Sequence, residues 1–230
     1  MTSRARPVVA IDGPAGAGKS TAARGVARAL GFTLVDTGSL YRAVALLAQE
    51  AGAALDDAAA VSAIAQEAVS SGTLRLARAD GETRVMLRGG DPGDSIRTPA
   101  LSMGASAVSA HPGVRAALLD AQRAFGRDGA VVLEGRDIGT VVFPDAEVKL
   151  FLTATPEVRA RRRFDELTAK GQKVTFEETL ADVQTRDAKD SGRAIAPLRQ
   201  ADDAVLFDSS DMTIEEVVSK MRALVEERSR

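Results

Sequence analysis

The apolar positions of this chain fall into short runs separated by longer amphipathic stretches. Residues 8–11 (VVAI), 32–35 (FTLV), 130–133 (AVVL), 148–152 (VKLFL) and 204–207 (AVLF) are runs of the kind that form strands buried on both faces. The stretches between them are long enough for helices. Strands alternating with helices predict a parallel sheet covered on both sides. The final helix is the plainest: Ile214, Val217, Val218, Met221, Leu224 and Val225 make one stripe, and Thr213 with Glu216 forms a capping box at its start.

Two segments depart from this alternation. Residues 72–90 alternate apolar and polar side chains around Ala79-Asp80-Gly81, which predicts a β-hairpin. It is expected to stand as a small antiparallel insert outside the main sheet. Residues 156–198 are charged and arginine-rich, with Pro156 in the first turn of a helix and a second capping box from Thr175 to Glu178. A third irregularity is local. Glu134-Gly135-Arg136-Asp137 sets three charges between the apolar runs AVVL and TVVF (residues 140–143), both of the β-branched type that belongs inside a sheet. Charge beside a core calls for a partner.

Composition narrows the field. A chain of 230 residues can bury a sizeable core in one domain, and 45% hydrophobic residues with a net charge of -2 describe a soluble globular protein. Near-neutrality argues against a broad basic surface for nucleic acid. The absence of cysteine excludes a disulfide, a thiolate nucleophile and a cysteine-based metal site, which fits a reducing compartment. The apolar run near the N-terminus is too short for a signal peptide, and no stretch approaches the roughly 18 apolar residues of a membrane span. A cytoplasmic monomer without nucleic-acid or membrane partners is the expectation.

Residues 13–20, GPAGAGKS, match G-x-x-x-x-G-K-[ST] directly after one strand and before a helical pattern. In such a loop backbone N–H groups curl around phosphate oxygens, and the helix N-terminus adds partial positive charge. Gly13, Pro14, Ala15, Gly16, Ala17, Gly18, Lys19, Ser20 and Thr21 are therefore expected to bind ATP, with Lys19 on the β- and γ-phosphates and Ser20 on Mg²⁺. A regulatory GTPase would also carry N-K-x-D and D-x-x-G, and neither occurs.

A second set of residues suits a phosphorylated acceptor. Asp36 to Arg42 (DTGSLYR) puts a hydroxyl, a glycine and an arginine at the carboxyl end of a strand. Ser106 and Arg115 follow in SAVSAHPGVR, then Arg136 and Asp137, then Arg186, Asp187, Asp190 and Arg193 in TRDAKDSGR. Arg159 and Arg163 lie one helical turn apart, and the spacing leaves two readings open: a cover over ATP's adenine and phosphates, or a solvated helix face. His111, the only histidine, precedes Pro112 at a helix start and reads as structural or exposed.

Together, IDGPAGAGKST, DTGSLYRA, EGRDIGTVVFPDA and RDAKDSGRAIAPL resemble the signature segments of bacterial cytidylate kinases, in that family's order and almost end to end. The resemblance implies phosphoryl transfer from ATP to CMP or dCMP, with Mg²⁺, on a nucleoside monophosphate kinase fold. That fold would be a five-stranded parallel sheet flanked by helices, with a small antiparallel insert and a short arginine-rich lid. The implied division is a core of residues 1–36, 100–155 and 194–230, a monophosphate-binding region 37–99, and a lid 156–193. By position, Thr37, Arg42 and Arg136 correspond to contacts with the acceptor phosphate, and Ser106, Arg115 and Asp137 to the cytosine site. Arg186, Asp190 and Arg193 fall in the lid, near the ribose and the moving phosphoryl group, so that Lys19, Arg136, Arg186 and Arg193 form the catalytic set. Relatives often carry Ser at Thr37 and Asp at Glu134, changes that keep the functional group. Glu134 resembles the carboxylate that holds Mg²⁺, directly or through water; an N-cap or a local ion pair is the other reading.

Elementary chemistry agrees with a cytosine reader. Cytosine presents an amino donor and two acceptors, so an aspartate accepts from the one and an arginine donates to the others. Two alternatives stand beside this one. One is a kinase of UMP or of a small-molecule hydroxyl, with Asp36 as base; the other is a non-enzymatic nucleotide-binding regulator, which would not need two phosphate sites.

Overall fold

The computed structural model describes residues 4–229. Its strands, in chain order, are β1 (Val8–Asp12), β2 (Thr33–Asp36), β3 (Leu74–Ala79), β4 (Glu82–Leu87), β5 (Val131–Gly135), β6 (Val148–Thr153) and β7 (Val205–Asp208). They form a 7-stranded sheet in the order β3-β4-β2-β5-β1-β6-β7. β1 is buried at every residue and pairs in parallel with β5 on one side and β6 on the other. β2 and β7 extend the parallel set outward.

The helices are α1 (Lys19–Leu30), α2 (Gly38–Glu50), α3 (Ala58–Ser70), α4 (Pro99–Val108), α5 (Pro112–Gly126), α6 (Pro156–Ala169), α7 (Phe176–Ser191) and α8 (Ile214–Arg228). Side chains alternate across a strand. Val9 and Ile11 of β1 accordingly pack with Val26 of α1 and Met221 of α8, while Val8 and Ala10 pack on the other face with Ile138 and Phe143. A third cluster joins α2 to α5 through residues such as Leu40, Val44, Val61 and Leu118. Both capping boxes form as expected, at Thr213 with Glu216 and at Thr175 with Glu178. The α6–α7 pair is fastened at its turn by Phe164 and Phe176, whose rings meet edge-on at 6.4 Å, with Arg161 stacked 4.3 Å from the Phe176 ring. Among the described residues no helix is long and apolar enough to cross a membrane.

Two expectations are corrected. The hairpin β3–β4 is not separate from the sheet: β4 meets β2 through Leu34 and Glu82, and the Leu34 N–H donates to the Gly81 carbonyl at 3.1 Å. The Leu34 N–H, which would otherwise face out from the edge of β2, finds its partner there. The run at residues 140–143 is likewise not a strand. Residues Ile138–Val142 form a single π-helical turn, because the buried Asp12 carboxylate accepts from the N–H groups of Ile138 and Gly139, both at 2.8 Å. A side chain at the end of β1 thus captures backbone that β-branched composition would send into a sheet.

Since the paired core strands run in parallel, the segments that follow β1, β2, β5, β6 and β7 emerge at one end of the sheet. Ligands of open α/β sheets bind there.

Candidate active site

The loop after β1 lies against its neighbours more closely than any side chain would allow. A Cβ on Gly13 would sit 1.9 Å from the Leu152 carbonyl oxygen, and Gly13 has φ +147°. Gly18 caps α1 in the left-handed region at φ 87°. Lys19 is buried behind this loop and donates to the Pro14 carbonyl at 2.7 Å. Burial pushes its ammonium pKa well down, and the positive charge of Arg136 pushes it further. Ser20 hydrogen-bonds the Glu134 carboxylate, whose pKa is raised by burial and then by the nearby charge of Asp36.

Opposite the loop, arginines gather from four segments. Arg42 of α2 donates to Asp36 at 2.8 Å and Arg97 to the same oxygen at 3.2 Å, while the Ser39 N–H donates to the other oxygen at 3.1 Å. Arg136, after β5, donates to Asp190 of α7 at 2.8 Å. Arg193 pairs with the same carboxylate, which also accepts from Ser106 Oγ at 2.8 Å. Burial works to raise the Asp190 carboxyl, but Arg136 and Arg193 outweigh it and hold the pKa below the usual range. For Arg186 the attraction of Asp190 does not compensate. Burial, then repulsion from Arg136, lowers its guanidinium to about 10. The Nε groups of Arg42 and Arg186 are buried without a hydrogen-bond partner. Buried donors are nearly always paired.

The far end of the cleft is closed by a buried ion pair between Arg115 of α5 and Asp137. Arg115 also donates to the Ser109 carbonyl at 3.2 Å and lies 5.7 Å from the Tyr41 ring. Thr37 donates its hydroxyl to the Glu134 carbonyl at 2.8 Å. One cleft of about 770 Å³ joins these features, lined at one end by Lys19 and Ser20 and at the other by Arg42, Arg115 and Asp137.

Asp12 holds the turn that carries Asp137, and its burial raises its pKa from 3.8 to about 6. The folded protein therefore keeps this proton in a window where the unfolded chain has lost it, so the contribution of Asp12 to stability falls as pH rises from about 4 to 6. The total is on the order of 3 kcal/mol. Unfolding in urea at several pH values, for the protein and for Asp12→Asn, should show the difference in stability between the two shrinking across that window. A constant difference would remove Asp12 as a titrating group.

The structure brings together Thr37, Arg42, Ser106, Arg115, Arg136, Asp137, Arg186, Asp190 and Arg193 around one cleft. It separates Arg159 from Arg163. Arg163 lines the cleft and pairs with Glu166, whereas Arg159 is buried and spends its guanidinium on Ala154, Ala15 and Asp187. Arg159 is not on a solvated face: the start of α6 rests on the phosphate loop, and this guanidinium points into the protein. Arg97, Arg162 and Met212 also line the cleft and escaped sequence reasoning. Arg162 sits in an Arg161–Arg163 run whose members cannot be told apart without the fold; it donates to the Ser209 carbonyl at 2.7 Å. His111 is structural as expected, its ring bonded to the Leu55 carbonyl at 2.8 Å.

A sequence model of the family described as "Cytidylate kinase" matches residues 9–227. The chain belongs to the cytidylate kinase family. It is 51% identical over 221 residues to the cytidylate kinase of Syntrophotalea carbinolica, covering 96% of this chain and 92% of the relative. It is 52% identical over 223 residues to the cytidylate kinase of Geobacter sulfurreducens, covering 97% and 94%. Among solved structures, a protein of Eubacterium ventriosum superposes with a TM-score of 0.52 at 11% identity, over 96% of this chain and 99% of that one, a likeness of fold alone. Cytidylate kinase membership accords with a cleft lined at one end by Lys19 and Ser20 and at the other by arginines.

Proposed function

We propose that this protein transfers the γ-phosphoryl group of ATP to CMP or dCMP, giving ADP and CDP or dCDP. The observation that carries this reading is the pairing, in one cleft, of a phosphate loop with an arginine cluster in which the Nε groups of Arg42 and Arg186 are buried without partners. Two anions have to be brought together there. The acceptor phosphate has a second pKa near 6 and is largely dianionic at neutral pH, so no general base is needed. What is needed is positive charge: Arg42 and Arg136 for the acceptor phosphate, with Thr37 beside them, and Lys19, Arg186 and Arg193 for the charge spread over the moving group. Asp36 suits this scheme better than the role of base in a hydroxyl kinase, since both its oxygens already accept hydrogen bonds, from Arg42, Arg97 and the Ser39 N–H.

The donor set fits a divalent cation. Ser20 and Glu134 would hold Mg²⁺, and the raised pKa of Glu134, buried and facing Asp36, is the imbalance a cation relieves. When bound, the ion offsets the charge of the β- and γ-oxygens.

In this reading residues 1–36, 100–155 and 194–230 are the core, residues 37–99 bind the monophosphate, and residues 156–193 are the lid. The setting is pyrimidine nucleotide metabolism in the cytoplasm, carried out by a monomer.

Asp137 and Arg115 read the base. The carboxylate accepts from cytosine's amino group and would face oxygen in uracil. Asp137→Ala should cost about 1–3 kcal/mol in kcat/KM for CMP and narrow the preference over UMP. The test is ADP release with ATP and CMP, dCMP, UMP, AMP, a hydroxyl acceptor or no acceptor, for both proteins. Preference for a hydroxyl acceptor, or an unchanged CMP to UMP ratio in the variant, would contradict the assignment.

A further inference from the structure

Arg159 is a cation buried to 3% exposure, and its surroundings are unusually complete. Nε donates to the Ala154 carbonyl at 2.8 Å, at the end of β6. Nη1 donates to the Ala15 carbonyl in the phosphate loop at 3.1 Å and to Asp187 Oδ1 at 2.9 Å; Nη2 donates to Asp187 Oδ2 at 2.5 Å. A forked, two-bond pairing of this kind fixes direction as well as distance. Contact with the loop is close as well. A Cβ on Gly16 would lie 3.1 Å from both the Cβ and the carbonyl oxygen of Arg159, and Gly16 has φ +76°.

Asp187 immediately follows Arg186 on α7. Successive helical residues point about 100° apart, so Asp187 reaches α6 while Arg186 faces the cleft. Asp190 follows one turn on and holds Ser106, Arg136 and Arg193 on the acceptor side. The helix is thus anchored at two carboxylates, one tied to the phosphate loop and one to the acceptor arginines, and Arg186 stands beside both anchors. Arg186 itself needs such support. Its arginine neighbours repel it more than Asp190 attracts it, and its Nε has no partner.

We propose that Arg159 and Asp187 are positioning residues that hold Arg186 in register with the ATP-binding loop. The proposal rests on the reading of Arg186 as a group that stabilises the moving phosphoryl. The pair touches neither nucleotide; it acts through the backbone of α7. Its loss should therefore lower the rate of transfer and leave the binding of ATP and CMP nearly unchanged.

The experiment is a double-mutant cycle read by single-turnover transfer, with KM values for both nucleotides and thermal melts. Asp187→Asn keeps shape and loses charge at a partly exposed site. It should lower the transfer rate about tenfold with KM values within about twofold, and Asp187→Glu should restore part of the loss. In an Arg186→Ala background the same Asp187→Asn change should cost less than about twofold, because the residue it supports has gone. A full further tenfold loss there would show Asp187 acting independently and overturn the proposal; so would a wild-type rate in Asp187→Asn alone. If Arg186→Ala is itself fully active, the reading of the site fails and not only this inference. Should Asp187→Asn not fold, Arg159→Lys carries the same cycle, since it keeps the charge and loses the fork.

Discussion

A Lys19→Ala variant is expected to fold and to lose phosphoryl transfer by at least about a thousandfold. The ammonium is buried behind the phosphate loop, and in the free protein it donates to the Pro14 carbonyl at 2.7 Å. Burial and then the positive charge of Arg136 push its pKa well down although Glu134 and Asp12 favour the charged form, so the ammonium lacks part of the solvation and counter-charge it would have in water. An ATP β- or γ-oxygen supplies the missing charge, and the gain grows as charge spreads during transfer. Stability should change by no more than about 1 kcal/mol, because the substitution removes a desolvated cation and one hydrogen bond together. Circular dichroism, a thermal melt and ADP release settle the matter. Normal turnover by the folded variant would sink the phosphate-loop assignment.

Arg186→Ala should come second in size and differ in kind. The expected loss is on the order of a thousandfold in kcat, with KM for CMP and ATP changed only severalfold, since the charge this side chain meets develops in the transition state. The variant should also melt at or above the temperature of the unchanged protein. Arg186 is held among Arg136, Arg42 and Arg193, with its pKa lowered to about 10 and its Nε buried without a partner. Removing it relieves that repulsion, the usual exchange of stability for activity at a preorganised site. An unchanged kcat would exclude Arg186 from the mechanism.

Most of the site was legible in the chain because its chemistry sits in contiguous motifs at strand ends. The glycines, Lys19 and Ser20 follow β1 directly, DTGSLYR follows β2, and EGRD ends β5, so local pattern and the parallel sheet together were enough to gather them. Capping boxes were legible for the same reason: Thr175 and Thr213 meet their partners three residues away. What escaped depends on partners distant in sequence. Asp12 seizes the backbone of Ile138 and Gly139, 126 and 127 residues on, and turns a β-branched run into a π-helical turn. The hairpin joins the sheet at one residue pair, Leu34 with Glu82, and nothing in its alternation announces which edge it will meet. Arg159 and Arg163 share a helical face by spacing, yet only the first abuts the phosphate loop.

Tyr41 carries a practical consequence. The chain contains one tyrosine and no tryptophan, and that tyrosine lies 5.7 Å from the Arg115 guanidinium in the cleft. Near-ultraviolet emission beyond the weak signal of phenylalanine therefore has a single source, 8% exposed and seated where the base-reading pair closes the site. The protein holds its own optical reporter, placed at the acceptor end and blind to events elsewhere. Absorbance at 280 nm is correspondingly slight, and concentrations are better taken from the peptide band.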